Sequence, residues 1–262
     1  MNRPLVLLSN DDGYRASGIV LLQRSLQEIA DVVVCAPESE QSAMSHSLSL
    51  HRPLRLYERE PGLFSVDGTP ADCVYVALHA KGRVLPRRPD LVVSGLNHGV
   101  NLGDDVFYSG TVAAAREGAL KGVTSMAVSA AYDADQPSAC AMAARLVRAL
   151  LGAQLKKPLL LNVNFPGGSS WPLTATRLGA RVYREEIEFR HDPRGREYLW
   201  IGGPGVEHRA VAGSDTEAFD KGVIGVTPLV LDLWDRDQQA EAELIVTALE
   251  QNLEDAGRER RN

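Results

Sequence analysis

Apolar residues in this chain come in short runs separated by amphipathic stretches, and the alternation stays regular through roughly the first two thirds. Leu5-Val6-Leu7-Leu8 is too short for a membrane span and too β-prone for a helix start, so it reads as a buried strand. Ile19, Leu22, Leu26 and Ile29 then recur at helical spacing, with Gln23, Arg24, Gln27 and Glu28 on the opposite face. Val32 to Ala36 gives a second buried strand, and the order strand, helix, strand predicts a right-handed βαβ unit.

Leu54, Leu56 and Leu63 to Val66 suggest short strands, after which Thr69-Pro70-Ala71-Asp72 opens a helix. Thr69 can cap it, Pro70 suits the first helical position and Asp72 completes a capping box. Asp90 to Gly95 is the next strand, Val112 to Lys121 an alanine-rich helix, Thr124 to Ser129 a strand, Ser138 to Leu151 a helix and Leu159 to Val163 a strand. After Pro166 the alternation stops, with Gly167-Gly168-Ser169-Ser170 as a linker signal. Glu186 to Phe189 and Tyr198 to Ile201 flank a turn, which predicts a protruding hairpin. A late strand over Ile224 to Leu233, broken by Pro228, and a helix over Ala240 to Leu253 follow, and residues 257–262 read as a charged, frayed end. The expected plan is an α/β core over residues 1–166 with a largely parallel sheet and flanking helices. An extension over 167–262, carrying the hairpin and the terminal helix for oligomerisation, packs on it.

The polar residues concentrate where parallel strands hand over to loops, which is where ligands bind in open α/β sheets. Ser9-Asn10-Asp11-Asp12-Gly13 follows the first strand. Adjacent carboxylates repel and are costly to desolvate together, so a hard divalent cation with oxygen ligands is one reading. An ordinary turn is the other, because Asn and Asp bond their own backbone and Gly accepts positive φ. Pro37 to Ser49 carries Ser39, Ser42, Ser45, Ser47 and Ser49 with Gln41 and His46, and lies beside that loop in a parallel sheet. Asn97 to Asp105 supplies amides, an imidazole and a second carboxylate pair. Tyr108-Ser109-Gly110-Thr111 then opens a helix whose free N–H groups suit an anion, although Thr111 serves equally as a plain N-cap. The lysine of a Walker A loop is absent.

Composition narrows the class. At 262 residues the chain can bury a substantial core, and a net charge of -6 argues against broad nucleic-acid binding. Cys35, Cys73 and Cys140 are odd in number and widely spaced, which fits a reducing cytoplasm. The start of the chain lacks the apolar stretch of a signal peptide, and no run is long enough to span a bilayer.

Taken together, the blocks Ser9 to Gly13, Ala36-Pro37 with Ser42 and Ser47-Leu48, Gly68 to Tyr75, Val93 to Asn97, Asn101 to Val106, Tyr108 to Ala115, Asp192 to Gly195 and Thr227 to Leu229 resemble the SurE family of survival proteins. That resemblance implies a Rossmann-like fold and a metal-dependent nucleoside monophosphate phosphatase, assembled through its C-terminal segments as a homodimer or homotetramer. It implies that Asp11, Asp12, Ser42 and Asn97 hold one divalent cation per subunit, Mg²⁺ or Mn²⁺. Ser109, Gly110 and Thr111 would lie against the substrate phosphate. Asp11 and Asp12 are the expected catalytic pair, one of them also orienting the attacking water, and Asn10 is a phosphate donor by neighbourhood. Nucleoside 5′-monophosphates are the expected substrates, with 3′-monophosphates and short polyphosphate as extensions. Two positions depart from the family pattern: Ala43 stands where glycine is common, and His98 replaces a small residue beside Asn97. An aspartyl-phosphate phosphatase is a rival, but it needs its carboxylates two residues apart. A nucleotide-binding regulator that does not hydrolyse its ligand is the rival from another class.

Overall fold

The computed structural model describes residues 3–183, 187–201, 205–209 and 211–259, with side chains described as far as residue 250. Strand β1 (Leu5–Ser9), helix α1 (Ser17–Gln27) and strand β2 (Asp31–Pro37) form the first βαβ unit, with β1 and β2 parallel. The successive side chains of β1 divide between two cores. Val6 and Leu8 join Ile19, Leu22 and Leu26 of α1 on one face, and Leu5 and Leu7 join Cys73, Val74 and Ala77 on the other. A strand buried on both faces has to be apolar throughout, which is why this run does not alternate.

The hairpin β3 (Leu56–Glu60) and β4 (Leu63–Val66) extends the sheet beyond β2, and Leu54 precedes it as loop. Helix α2 (Pro70–His79) starts at the predicted capping box, with Thr69 accepting from the Asp72 N–H and Asp72 from the Thr69 N–H. Strand β5 (Leu91–His98) lies on the other side of β1. A short helix α3 (Asp105–Tyr108) leads directly into α4 (Gly110–Leu120), and β6 (Ser125–Ala130), α5 (Gln136–Gly152) and β7 (Leu160–Phe165) complete the parallel part. Helices α1 and α5 cover one face and α2 and α4 the other. The result is a three-layer, Rossmann-like α/β fold.

Beyond Phe165 the chain returns to the same sheet. Strand β8 (Leu173–Ala175) is followed by β9 (Ala180–Tyr183), the hairpin β10 (Ile187–His191) and β11 (Glu197–Ile201), β12 (Val206–Arg209), helix α6 (Asp215–Asp220) and β13 (Ile224–Leu229). The main sheet has the order β3-β4-β2-β1-β5-β6-β7-β13-β8, with β13 antiparallel to β7 and parallel to β8. Residues after 166 therefore supply two strands of the core sheet, and residues 1–229 form one compact unit.

The hairpin is present as predicted, although Glu186 falls outside the described residues. Strand β13 stops at Leu229 rather than Leu233. Pro228 lies within it, past the end of the β8 pairing at Val226, so its missing N–H breaks no ladder bond on that side. The second unit, residues 230–262, contains helix α7 (Gln239–Glu259), on which Leu244, Ile245, Val246 and Leu249 are exposed. No helix among the described residues is long and apolar enough to cross a membrane.

Candidate active site

The carboxyl ends of β1, β2 and β5 carry the polar clusters singled out in the sequence. Past β1, Gly13 takes φ +96°, a conformation that L side chains rarely adopt, and a Cβ there would lie 3.3 Å from the Ser39 carbonyl carbon. This turn lays the Asp11-Asp12 loop against the start of the serine-rich segment. Tyr14 N–H donates to Pro37 O at 2.9 Å, and Gln41 N–H donates to Asp11 O at 2.8 Å. Asn10 is fully buried, and its Nδ2 donates to Gly13 O at 2.9 Å. In this geometry the Asn10 amide braces the turn of the loop from inside.

The start of α4 meets the same loop. Ser109, not Thr111, is the N-cap, its Oγ accepting from Val112 N–H at 3.1 Å. Thr111 is completely buried, and its hydroxyl donates to Asp11 Oδ1. Gly110 lets the two approach, since a Cβ at this position would stand 2.8 Å from Asp11 Cβ and 3.0 Å from Asp11 Oδ2. Thr111 thus orients a carboxylate, and among the described residues no protein acceptor takes the Gly110 N–H. With the Ser109 hydroxyl, that N–H is what the first turn offers an anion.

Electrostatics around the two carboxylates are unfavourable as they stand. Burial drives the Asp11 pKa from 3.8 up to about 6; the Thr111 hydrogen bonds oppose the rise and the neighbouring Asp12 charge adds to it. Half-buried Asp12 is also raised, first by burial and then by the Glu40 charge, against the lowering effect of the His98 backbone N–H. Among the described residues no lysine or arginine pairs with either group.

Ser42 and Asn97 sit on segments bonded to this pair. Ser42 is exposed next to Gln41, and its Oγ donates to Glu40 Oε1 at 3.0 Å. Asn97 lies at the end of β5 beyond a bulge, and its Nδ2 donates to Gly99 O at 2.8 Å, which leaves Oδ1 as a free acceptor. Two uncompensated carboxylates, a hydroxyl and an amide oxygen make a hard, oxygen-only donor set that suits a divalent cation such as Mg²⁺ or Mn²⁺. Among the described residues no cluster of three His, Cys, Asp or Glu is arranged to hold a metal, so a site here depends on the neutral oxygens.

Ala43, next to Ser42, has φ +57°, the left-handed conformation that glycine takes without strain.

Two further contacts brace the site, and the sequence gives no local signal for either. His46 Nε2 lies 2.8 Å from Oε2 of Glu117, a carboxylate buried within α4, so the serine-rich segment is fastened to α4. Asp105, at the start of α3, accepts from both the Arg181 guanidinium and the Tyr183 hydroxyl of β9. Each pair joins residues far apart in the chain, one of which has an ordinary loop or strand context.

A family model described as Survival protein SurE matches residues 6–185. A 5′-nucleotidase SurE of Sorangium cellulosum (strain So ce56) is 63% identical over 251 residues, covering 94% of this chain and 97% of that protein. A protein of the same name from Myxococcus xanthus (strain DK1622) is 46% identical over 241 residues, covering 89% of this chain and 90% of its own. The crystal structure of a SurE protein from Aquifex aeolicus matches the fold with a TM-score of 0.80 at 35% identity, over 92% of this chain and 99% of that one. With the family model spanning more than half of the sequence and a relative this similar over nearly its whole length, the chain belongs to the SurE family.

Proposed function

We propose that this chain is a divalent-cation-dependent phosphatase that hydrolyses nucleoside 5′-monophosphates to nucleoside and phosphate. The observation that carries the reading is the buried Asp11 carboxylate, held by Thr111 at the first turn of α4 with Asp12 beside it and, among the described residues, no lysine or arginine paired with either. Its relatives' name, 5′-nucleotidase SurE, supplies the substrate class.

Asp11, Asp12, Ser42 and Asn97 would hold the cation. When bound, it supplies Lewis-acid polarisation of a phosphoryl oxygen and acidifies a water. The protein's own groups do the rest. Thr111 fixes the rotamer of Asp11. Gly110 N–H and the Ser109 hydroxyl bind phosphate oxygens at the positive end of α4, where they stabilise charge that develops during transfer. Asp12, the more exposed carboxylate, orients the attacking water and takes its proton on a carboxylate oxygen. Recognition centred on the phosphate extends the range to 3′-monophosphates and short polyphosphate.

The protein works as a homodimer or homotetramer, with the exposed apolar pairs Ile187–Ile201 and Phe189–Leu199 of the β10–β11 hairpin as the contact surface. Its three free, buried cysteines suit the reducing cytoplasm. The net charge of -6 gives no basic field for stable nucleic-acid binding.

The deciding experiment is phosphate release from a panel of nucleoside monophosphates and tripolyphosphate, in EDTA and after Mg²⁺ or Mn²⁺ is restored. Release that vanishes with chelator and returns with metal is expected. Metal-independent release with a trapped phosphoenzyme on Asp11 would favour a covalent phosphatase, and binding without turnover in any metal a nucleotide-binding regulator.

A further inference from the structure

The groups assigned so far explain phosphate and cation, and none of them recognises a base. A nucleoside attached to a phosphate at the start of α4 has to run out across the neighbouring strand ends. The next strand ends are those of β5 and β6, which pair in parallel with Asn97 opposite Ser129 and His98 opposite Ala130. There the structure carries two aromatic side chains that the fold does not need. His98 is exposed, and Tyr132, two residues past the end of β6, retains 78% of its accessible surface.

The two rings form an edge-to-face pair with centroids 4.7 Å apart and planes at 76°. This arrangement leaves ring faces open to solvent, and no hydrogen bond holds the Tyr132 hydroxyl among the described residues. The pair is close to the chemistry. His98 follows Asn97 directly, and its backbone N–H is bonded to Asp12. A Cβ on Gly99 would lie 3.3 Å from the Tyr132 hydroxyl and 3.9 Å from Asn97 Nδ2, so the phenol and the Asn97 amide both border the space beside Gly99.

We propose that His98 and Tyr132 form an aromatic wall at the mouth of the active site that stacks the nucleobase and sets a preference for purine over pyrimidine monophosphates. The inference rests on the phosphatase reading and adds what that reading leaves open. Stacking is sequence-tolerant and grows with ring area, so the larger purine gains more from an open aromatic face.

The test compares the parent with His98→Ala, Tyr132→Ala and Tyr132→Phe on AMP, GMP, CMP, UMP and ribose 5-phosphate, which lacks a base. Both alanine variants are expected to raise KM for AMP and GMP roughly ten-fold more than KM for ribose 5-phosphate, with smaller effects on kcat. Tyr132→Phe keeps the ring and is expected to retain purine preference. Equal losses on AMP and ribose 5-phosphate would overturn the proposal by making the pair a support for the phosphate or cation site, as would an unchanged purine-to-pyrimidine ratio. Calorimetric binding of adenosine in EDTA separates the two readings: if the parent turns over no substrate the phosphatase reading fails, while weaker adenosine binding by Tyr132→Ala still upholds the wall and equal binding overturns it.

Discussion

Glu117 and His46 are joined at 2.8 Å across the site, the carboxylate buried in α4 and the imidazole on the segment that carries Ser42. Lys121 reaches the other oxygen of the same carboxylate at 3.2 Å. Burial alone would raise the Glu117 pKa, but the bonds from His46 and Lys121 outweigh it and hold the group below the usual 4.5. A carboxylate with a lowered folded pKa contributes stability that is present above the unfolded value and is lost as pH falls through the folded one. Glu117→Ala is therefore expected to cost about 1–3 kcal/mol at neutral pH, and Glu117→Gln less, because the amide oxygen can still accept from His46. Urea denaturation at pH 7 and pH 4 checks it: the gap between Glu117→Gln and the parent should narrow below pH 4.5.

Thr111→Val keeps the shape of a fully buried side chain and removes the hydroxyl that fixes Asp11. A buried carboxylate oxygen left without its donor costs about 1–3 kcal/mol. The expected outcome is a lower thermal midpoint together with weaker Mn²⁺ binding by electron paramagnetic resonance. Full Mn²⁺ affinity in this variant would separate Thr111 from any part in the cation site.

Asp11 itself works against the fold when no cation is present. Its pKa is raised from 3.8 to about 6 in the folded state, so the chain loses stability as pH climbs through that window and carries the full penalty above it. At 1.36 kcal/mol per unit the penalty is roughly 3 kcal/mol, an upper bound for relief by removing the charge. In EDTA at pH 8, Asp11→Asn should melt above the parent, while Mg²⁺ or Mn²⁺ should raise only the parent. Parent and variant melting together in EDTA would contradict the burial penalty.

Ala43 sits at φ +57°, next to Ser42. Ala43→Gly relieves a left-handed non-glycine residue, and a gain of about 0.5–1 kcal/mol is expected after the extra freedom of the unfolded chain is set against it. Differential scanning calorimetry of the two proteins measures it, and a lower midpoint for the glycine variant would show that the loop tolerates alanine without strain.

What the sequence made legible was local. The apolar run of β1, the helical spacing of Ile19, Leu22 and Leu26, and the capping box of Thr69 and Asp72 are set by residues within a few positions of one another, and each element formed as read. The Asp11-Asp12 loop was recognisable because chemistry and strand end coincide. Roles that depend on which distant group arrives were not legible. Thr111 looks like a cap until Asp11, 100 positions away, claims its hydroxyl, and Glu117 looks like a surface residue of an alanine-rich helix until His46 folds over it. The Asn10 amide, next to Asp11 in sequence, turns inward to bond Gly13 O, a contact that its position at a strand end does not announce. The return of β8 and β13 to the core sheet likewise has no signature in a segment whose strands are short and whose pairing is long-range.

Gly110 leaves no room between α4 and the Asp11 loop, with Pro70 of α2 closing the third side at 3.1 Å from where a Cβ would lie. Even one added methyl group would have to push a helix off the strand end that carries the carboxylates. The packing beneath the carboxylates is consequently fixed to within a methyl group, so any enlargement of the space around them has to come from side chains that face away from this contact.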